Sequence, residues 1–269
     1  MIDIHTHILP GLDDGAADIE TSLQMLGMAA KDGTECIIAT PHMIPGALEK
    51  SAESFNKAYQ DIKKAAAVKV PGIEILPGAE IFLSPEVPAL LEEGRVNTLN
   101  NTSYILVEFP MRSIPAYVNN VLYELRLKGY RPIIAHPERN IEIIASPNIL
   151  YDFVMKGMLT QVNATSLTGL YGRKVRETAL KLLKHKMVHF VATDAHTCKG
   201  RSPKLAGARR IVETEMGEEE AQKLFEKNPR LMLENKEFVV PEPTMIKKTN
   251  KGIFSFNMLR KLIFKSKIL

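Results

Sequence analysis

The sequence predicts an α/β fold in one domain, a parallel (β/α)7 barrel, and three observations support this prediction. Short apolar, β-branched runs alternate with longer helical patterns seven times along the chain. No linker, internal repeat or low-complexity segment interrupts this alternation. Histidine, aspartate and glutamate side chains recur where the predicted strands end, and in such barrels the carboxyl ends of the strands form the catalytic face.

The elements follow one another in a regular order. Strands are predicted near residues 2–6, 35–40, 73–79, 103–109, 131–135, 159–163 and 188–193. Helices are predicted near residues 18–32, 50–68, 114–129, 147–156, 173–186, 203–215 and 218–226. Gly33, Gly129 and Gly157 each follow a helical pattern and are predicted to end those helices. Ser51 is predicted to cap the second helix at its amino end.

The composition predicts an ordinary globular protein of the cytoplasm. Of 269 residues, 45% are apolar and 25% are charged, which are typical values for a protein with a buried core. With only Cys36 and Cys198, we expect no disulfide framework and therefore a reducing compartment. The first residues lack the basic stretch of a signal peptide. No apolar run reaches the roughly 20 residues that span a bilayer.

The formal net charge of +4 is unevenly distributed. From Lys247 onward the chain contains seven Lys or Arg and no Asp or Glu, so the rest has 28 basic against 31 acidic residues, a balance of −3. A mildly acidic body argues against nucleic-acid binding. We therefore expect no nucleic-acid partner.

Residues 241–269 are predicted to form a basic, apolar C-terminal tail beyond a domain of residues 1–240, because Pro241-Glu242-Pro243 marks a break. Basic and apolar side chains together favour a helix on an anionic membrane surface through residues 247–269, where each Lys or Arg contributes on the order of 1 kcal/mol. This interpretation places the protein at the inner face of the membrane. A disordered end, or a helix packed on the barrel or on a second subunit, explains the composition equally well.

Metal ions are predicted at the rim that the strand ends form. His5 and His7 lie two residues apart in an extended run, so their side chains share one face and can bind one ion together. A second pair, Asp194 and His196, follows the last predicted strand. The other strand-end candidates are His42, Glu80, Glu108 and His136. For the two glutamates the alternative is a salt bridge to a helix Lys or Arg, since a buried unpaired carboxylate is costly.

Asp13 and Asp14 form a carboxylate pair in front of the first predicted helix. Either could be a metal ligand, while the other caps the helix that begins near Asp18. Of the remaining histidines, His185 is expected at the surface and His189 is expected to pack in the core.

Two arginines near these ligands are predicted to bind phosphate. Arg139 follows a strand end, and Arg201 follows the last pair of ligands by a few residues. A guanidinium donates paired hydrogen bonds that match phosphate oxygens. The alternative is an ion pair with Glu138, Glu142 or another surface carboxylate. Neither cysteine begins a Cys-x5-Arg loop, so thiol-based phosphatase chemistry is not expected.

As a set, the predicted ligands resemble those of the PHP superfamily, named for polymerase and histidinol phosphatase. Their spacing is most similar to that of its bacterial tyrosine-protein phosphatases, manganese-dependent enzymes of capsule and exopolysaccharide operons. The stretches that carry this resemblance lie within residues 1–235 and are Met1-Ile2-Asp3-Ile4-His5-Thr6-His7, Asp13-Asp14-Gly15, Gly78-Ala79-Glu80-Ile81, Ala135-His136-Pro137-Glu138-Arg139, Thr160-Gln161-Val162-Asn163, Asp194-Ala195-His196 and Phe225-Glu226-Lys227-Asn228-Pro229.

The resemblance implies a distorted seven-stranded barrel of the PHP type with three metal ions, each held by three or four of the predicted ligands. Ion by ion, the implied ligands are His5, His7, Glu80 and Asp194; Glu80, Glu108 and His136; and Asp14, His42 and His196. Imidazole and carboxylate donors without thiolates suit Mn²⁺, Fe²⁺ or Zn²⁺. The resemblance favours Mn²⁺.

The hypothesis that follows is hydrolysis of phosphotyrosine on protein by a metal-bound hydroxide, with Arg139 and Arg201 binding the phosphate. Metal coordination lowers the pKa of water from about 15.7 to about 7, so no side-chain base is required. The resemblance implies that the phosphotyrosyl protein is a bacterial tyrosine kinase controlling capsule synthesis. One alternative enzyme is a histidinol-phosphate phosphatase, and a non-enzymatic alternative is a metal-loaded docking scaffold. The sequence leaves the oligomeric state open.

Overall fold

A computed structural model describes residues 1–47 and 52–247 and has the predicted parallel α/β architecture. Its strands form a three-stranded sheet with the order β1-β2-β4 and a six-stranded sheet with the order β3-β5-β6-β7-β8-β9. Every strand pair in both sheets is parallel. The strands are β1 (Ile2–Thr6), β2 (Cys36–Ala39), β3 (His42–Met43), β4 (Glu74–Pro77), β5 (Glu80–Phe82), β6 (Tyr104–Glu108), β7 (Arg131–Ala135), β8 (Leu159–Asn163) and β9 (Phe190–Ala192).

Two of the predicted strands are each followed closely by a short strand that was not predicted and that belongs to the other sheet. The run predicted at 35–40 is observed as β2, followed after Thr40 and Pro41 by the short strand β3. The run predicted at 73–79 is observed as β4, followed by β5. Pro41 has no N–H to donate to a strand ladder, so it interrupts the first run, while its carbonyl still accepts a hydrogen bond from the N–H of Glu80 at 3.1 Å. This arrangement therefore places His42 and Glu80 at the start of a second, offset layer of strands.

Hydrogen bonds also connect the first strand with the segment that follows the last one. The N–H of Asp194 donates to the carbonyl of His5 at 2.9 Å, and the N–H of His7 donates to the carbonyl of Ala195 at 2.8 Å. Thr6 and Ala195 form a parallel bridge. The two segments that carry the histidine pair and the Asp194–His196 pair are thus held side by side by their backbones.

The predicted long helices are present, and four short ones were not predicted. The helices are α1 (Ile19–Lys31), α2 (Ala52–Lys69), α3 (Val87–Glu92), α4 (Val118–Leu127), α5 (Ile141–Ala145), α6 (Asn148–Met155), α7 (Ala164–Thr168), α8 (Arg173–Lys184), α9 (Ala206–Met216), α10 (Glu218–Gln222) and α11 (Asn228–Leu233). Helices α3, α5, α7 and α11 have only five or six residues, too few to display a 3.6-residue period. A π-helical turn, Lys223–Lys227, joins α10 to α11.

The helix ends agree in part with the predicted signals. Gly33, Gly129 and Gly157 follow α1, α4 and α6 with φ values of 92°, 87° and 82°, the left-handed conformation expected after a helix. The Asp18 side chain accepts a hydrogen bond from the N–H of Thr21 and caps α1 itself. The predicted cap at position 51 lies outside the described residues.

The core shows how both sheets face one interior. Alternate side chains of the two sheets meet in one cluster, while the residues between them pack against the helices. The cluster is formed by Ile2, Ile4, Cys36, Ile38, Leu99, Tyr104, Leu106, Ile133, Ala135, Leu159, Phe190, Ala192 and Met232. A shared interior fixes the two sheets relative to each other, and their carboxyl ends therefore open toward the same side.

The described part of the C-terminal segment remains attached to this body. The Tyr104 hydroxyl donates to the carbonyl of Lys236 at 2.6 Å, and the ring of Phe238 stacks on that of Tyr104. Further on, the N–H of Thr244 donates to the carbonyl of His185, and Asn148 exchanges two hydrogen bonds with the backbone of Ile246. The proposed membrane segment lies, except for Lys247, outside the described residues. Within the described ranges no helix is long and apolar enough to cross a membrane.

Candidate metal centre

The structure brings all nine predicted ligands together in one cluster, in which His42 and Glu80 begin β3 and β5 and the others lie at or beyond the carboxyl ends of strands. His5 and His7 are supplied by β1 and the residue beyond it, and Asp194 and His196 by the segment after β9. The other predicted ligands, Asp14, His42, Glu80, Glu108 and His136, come from the loop after β1, from β3, β5 and β6, and from the residue after β7. Eight of these nine residues fall into three overlapping groups, and within each group the donor atoms lie within 4.8 Å of one another. The ninth, His136, contacts Glu80 of these groups at 2.9 Å.

The first group contains His5, His7, Glu80 and Asp194, all fully buried. The Nε2 atoms of the two histidines lie 3.2 Å apart, each is 3.2 Å from Oε2 of Glu80, and each is 3.5 Å from Oδ1 of Asp194. Donor atoms that share an ion at bonds of about 2.0–2.1 Å in a tetrahedron lie about 3.3 Å apart. The spacing therefore fits one divalent cation.

Glu80 provides the clearest test of this fit. Its Oε2 atom is buried and has no hydrogen-bond partner, although nitrogen atoms of His5, His7 and His42 lie within 3.0–3.2 Å of it. A carboxylate oxygen so placed is costly unless a cation compensates for its charge. Its other oxygen, Oε1, lies 2.9 Å from Nε2 of His136. One carboxylate thus faces two different sets of ligands, as a bridging ligand does.

The two further groups share His42. His42, Glu80 and Glu108 form the second group, and Nε2 of His136 approaches Glu108 to 3.8 Å. In the third group, His7, Asp14, His42 and His196 come together. Oδ1 of Asp14 lies 3.5 Å from Nε2 of His42 and 3.3 Å from Nε2 of His196. Compared with the sets implied by the resemblance, the second group contains His42 in place of His136, and the third group also contains His7.

Neighbouring side chains set the orientation of the first two imidazoles. Nδ1 of His7 lies 2.7 Å from Oδ2 of Asp13, and Nδ1 of His5 lies 2.9 Å from Oε1 of Gln161. An acceptor at Nδ1 places the ring proton there and leaves the Nε2 lone pair free for a metal. Asp13 is therefore an orienting residue, which separates its role from that of Asp14. Neither of the two caps α1, because Asp18 does so.

A glycine allows the loop with Asp13 and Asp14 to approach His7 closely. A Cβ atom on Gly15 would lie 2.2 Å from the carbonyl oxygen of His7 and 2.5 Å from its Cβ. The N–H of Gly15 donates to Oδ1 of Asp13 at 2.9 Å, which fixes the turn. Any larger residue at position 15 would displace the loop from the metal ligands.

Gln161 and Asn163 continue the polar network on the inner side of β8. No role was predicted for either side chain. The Gln161 amide donates to Oδ1 of Asn163 at 2.8 Å, and the Asn163 amide donates to Oδ2 of Asp194 at 2.7 Å. Both side chains are fully buried. Two amides at alternate positions of a buried strand are the signal that could have indicated a shared polar face.

The charges of the cluster show why cations are needed. Burial alone would lower the pKa of His7, but its hydrogen bond to Asp13 and the charges of the Glu80 and Asp13 carboxylates raise it to about 10. Burial alone would raise the pKa of Glu80 and of Asp194, yet the charge of His5 and other nearby cationic groups lowers both. The carboxylates are thus ionised at neutral pH. The positive charge opposite them is a proton on the imidazoles or, in its place, a metal ion.

Two of the ligands have a left-handed backbone. The φ values are 32° for His136 and 52° for Asp194, in a region that residues other than glycine seldom adopt. Such conformations cost on the order of 1–3 kcal/mol each and concentrate at functional sites. At both residues, the left-handed backbone turns a side chain that follows a strand toward the cluster.

The two predicted arginines converge on Asp194. Nη1 of Arg139 donates to Oδ2 of Asp194 at 2.8 Å, and Nη2 of Arg201 donates to Oδ1 at 2.7 Å. Their side chains are 19% and 27% exposed, so both guanidinium groups border solvent beside the buried ligands. Glu138, the alternative partner of Arg139, instead accepts hydrogen bonds from the Asn163 N–H and the Ser166 hydroxyl.

The remaining histidines and the cysteines lie apart from the three groups. His189 is buried in front of β9, where its Nδ1 accepts a hydrogen bond from the N–H of Thr160. His185 ends α8 and pairs with the Thr244 side chain, so it contacts the C-terminal segment. Cys36 is buried in the interior cluster, and Cys198 is partly exposed beside Gln24.

Comparison with known proteins agrees with this geometry. The profile of the family described as capsular polysaccharide synthesis, CpsB/CapC, matches residues 1–234. The chain belongs to this family. Tyrosine-protein phosphatase YwqE of Bacillus subtilis is 39% identical over 256 residues, which cover 95% of this chain and 100% of YwqE. Tyrosine-protein phosphatase CpsB of Streptococcus agalactiae serotype III is 30% identical over 240 residues, covering 87% and 99%.

The fold of the CpsB/CapC family is present as well. A crystal structure from work on YwqE of Bacillus subtilis and CpsB of Streptococcus pneumoniae, described as metal-dependent tyrosine phosphatases, superimposes with a TM-score of 0.88. It is 39% identical to this chain and covers 92% of it and 100% of the crystallised chain. The predicted family resemblance is therefore confirmed.

Proposed function

We propose that this protein is a metal-dependent phosphatase that hydrolyses phosphotyrosine on proteins. The observation that carries the proposal is a cluster of nine His, Asp and Glu side chains, six of them buried, with two arginines at its solvent edge. Both arginines hydrogen bond to Asp194, a member of the first ligand group. A phosphate beside Asp194 would therefore meet positive charge from the protein on one side and from the cluster on the other.

The ligand groups are proposed to hold up to three divalent ions. Ions bound there would supply positive charge to the phosphate and would lower the pKa of a bound water, so that no side-chain base is required. The donors are nitrogen and oxygen atoms only, which suit Mn²⁺ and also Fe²⁺ or Zn²⁺. We propose Mn²⁺, which the family resemblance favours.

The side chains of the protein would bind and orient the phosphate and offset its charge. Arg139 and Arg201 would exchange part of their bonding to Asp194 for hydrogen bonds to the phosphate oxygens. The amide of Asn163 would keep Asp194 in place during this exchange, because it holds Oδ2 independently at 2.7 Å. The phenol released from phosphotyrosine has a pKa of about 10, so its oxygen can leave with little help from an acid. A general acid is therefore not required of the protein.

Apolar side chains near the arginines suit an aromatic substrate on a protein. Ile141 follows Arg139 by two residues and is 54% exposed, and Leu170 is 48% exposed in the loop after α7. Exposed apolar side chains beside a polar site are typical of contact surfaces. We propose that they contact the phosphotyrosyl protein, and that this protein is a bacterial tyrosine kinase of capsule synthesis.

We also infer that the two sheets form one distorted seven-stranded barrel. Strands β3 and β5 continue the paths of β2 and β4, and hydrogen bonds between residues 5–7 and 194–195 join the first and last strands. The shared interior cluster supports the same inference. We propose a cytoplasmic location for this domain.

The proposed activity is tested by turnover of a phosphotyrosyl peptide after complete chelation and after adding back Mn²⁺, Fe²⁺ or Zn²⁺ singly. We expect loss of turnover on chelation and its return with at least one ion. Undiminished turnover by protein whose metal content is measured as zero would contradict the proposed mechanism. Histidinol phosphate is assayed in parallel, and higher kcat/KM for it would favour the alternative enzyme.

The scaffold alternative needs a different measurement. A variant with His5→Ala and His7→Ala should lose metal and turnover together if the protein is an enzyme. If the protein only docks a partner, that variant would bind the partner kinase normally, and the wild-type protein would show no turnover with any added ion.

The tail is proposed to attach this domain to an anionic membrane surface. Residues 247–269 carry seven basic and no acidic residues. Because residues 244–246 hydrogen bond to the body, the suitable truncation ends at Lys247 and leaves those contacts intact. We expect full-length protein to sediment with vesicles of phosphatidylserine and phosphatidylcholine and the truncated protein to stay in solution. Equal sedimentation of both proteins would reject the proposal.

A further inference from the structure

Tyr171 lies beside the arginines and has no role in the site described so far. It sits in the short loop between α7 and α8, flanked by Gly169 and Gly172, whose φ values are 96° and 87°. The N–H of Gly172 donates to the carbonyl of Gly169 at 3.0 Å and closes the turn. This tight turn holds the aromatic ring at a defined position.

The ring of Tyr171 supports one of the two guanidinium groups. The guanidinium carbon of Arg139 lies 4.4 Å from the centre of this ring. A planar guanidinium on an aromatic face is attracted to the ring and loses rotational freedom. Arg139 is therefore held from two sides, by the ring of Tyr171 and by the carboxylate of Asp194.

The hydroxyl of Tyr171 is buried and has no hydrogen-bond partner among the described residues. A buried hydroxyl without a partner is costly, so such a group points to something it binds in the working protein. Its surroundings are cationic. Arg201 hydrogen bonds to the same Asp194 carboxylate as Arg139, so a second guanidinium group lies close to the one that the ring supports.

We propose that Tyr171 is a third residue of the phosphate site: its ring positions Arg139, and its hydroxyl donates a hydrogen bond to an oxygen of the bound phosphate. This inference rests on the proposed phosphatase function and adds a residue to it. A phenol is suited to the role because it donates a hydrogen bond without adding charge beside two guanidinium groups. Phosphate oxygens are the acceptors that these three donors share.

Two substitutions separate the ring from the hydroxyl. Tyr171→Phe keeps the ring and removes only the donor, whereas Tyr171→Ala removes both. Tyr123→Phe, on the exposed face of α4 where the side chain is 65% exposed, is the matched control. The probes are inorganic phosphate, as a competitive inhibitor, and a phosphotyrosyl peptide, as the substrate.

For Tyr171→Phe we expect inorganic phosphate to bind about tenfold more weakly and kcat/KM to fall by a similar factor, since a lost hydrogen bond to a charged group has about this effect. Bound metal should remain at the wild-type level. For Tyr171→Ala we expect a larger fall in kcat than for Tyr171→Phe. In the Arg139→Ala background, Tyr171→Ala should be no worse than Tyr171→Phe, because the ring then has no guanidinium to position.

Three outcomes would overturn the inference. Wild-type phosphate affinity in Tyr171→Phe would exclude the hydroxyl contact. A further loss from Tyr171→Ala beyond that from Tyr171→Phe in the Arg139→Ala background would exclude the positioning of Arg139. Loss of metal from either variant would show that Tyr171 acts on the metal centre instead. Absence of turnover in the wild-type protein with every metal would instead count against the proposed phosphatase function. That outcome differs from the three above, each of which concerns Tyr171 alone.

Discussion

The backbone N–H of Asp194 donates a hydrogen bond of 2.9 Å to the carbonyl oxygen of His5. These two residues, 189 positions apart in the sequence, both supply donor atoms to the first ligand group. Metal binding at their side chains would therefore hold together the first and last strands of the domain. Metal binding and the fold would then stabilise each other at this point.

Removal of metal is expected to lower the thermal stability of the protein. Ions that bind only the folded state stabilise it by about 2.7 kcal/mol at a free concentration 100 times the Kd. Their loss also leaves the buried Glu80 and Asp194 carboxylates balanced only by protons. Thermal unfolding with and without chelator, at one protein concentration, measures the difference. An unchanged Tm in protein shown to be metal-free would contradict this prediction.

Gln161→Leu should weaken metal binding without removing any ligand. The substitution leaves Nδ1 of His5 without its acceptor, so the ring is no longer fixed with Nε2 toward the ion. Loss of such an orienting partner typically costs about 10–100-fold in metal affinity. Metal titration by calorimetry gives the affinity, with Gln60→Leu on the exposed side of α2 as the control. Equal affinities of the two variants would show that Gln161 does not orient His5.

Arg139→Ala should impair turnover and spare the metal. The guanidinium donates to Oδ2 of Asp194, whereas the Asp194 oxygen that faces His5 and His7 is Oδ1. Removing one donor to a transferring group costs roughly 100–1,000-fold in kcat. Arg173→Ala on α8, where the side chain is 89% exposed, is the matched control. If metal content fell together with turnover, Arg139 would have to be reassigned to the metal centre.

His189 is expected to make the fold sensitive to acid. Burial lowers the pKa of His189 to about 3 in the folded protein, while in an unfolded chain histidine titrates near about 6.5. Between these values the unfolded chain binds a proton that the folded protein does not, so the free energy of unfolding falls as the pH falls. From pH 7.5 to pH 5 this single group removes on the order of 2 kcal/mol.

His189→Asn retains an acceptor for the Thr160 N–H and cannot be protonated. Urea unfolding at pH 7.5 and pH 5 should therefore show a smaller loss of stability for this variant than for the wild type. His185→Asn, at the end of α8, controls for a histidine outside the core. The same pH dependence in His189→Asn and in the wild type would show that His189 is not responsible.

Much of the centre could be predicted because its ligands lie at strand ends. A histidine such as His5 or His136 directly follows an apolar, β-branched run, and parallel strands bring all such ends to one edge. The fold class was predicted for the same reason, since the alternation of strands and helices is regular. The short strand β3 was not predicted, because only two residues separate it from β2 and it is too short to show an alternating pattern.

The supporting residues depend on distances that the sequence does not display. Gln161 meets His5 across 156 positions, and only the assembled sheet brings them together. Asp13 and Asp14 are adjacent and identical in type, so their different roles become visible only when one faces Nδ1 of His7 and the other faces His196. Tyr171 lies in a loop between two helices, where no periodic pattern singles out a residue.

All donors in the three ligand groups are nitrogen or oxygen, and neither Cys36 nor Cys198 is among them. Phosphatases that use a thiolate nucleophile are silenced when peroxide converts the sulfur to sulfenic or higher acids. Imidazoles and carboxylates do not undergo this conversion. Under oxidative stress, dephosphorylation at such a centre would not be lost through sulfur oxidation, whereas dephosphorylation by thiolate enzymes would be.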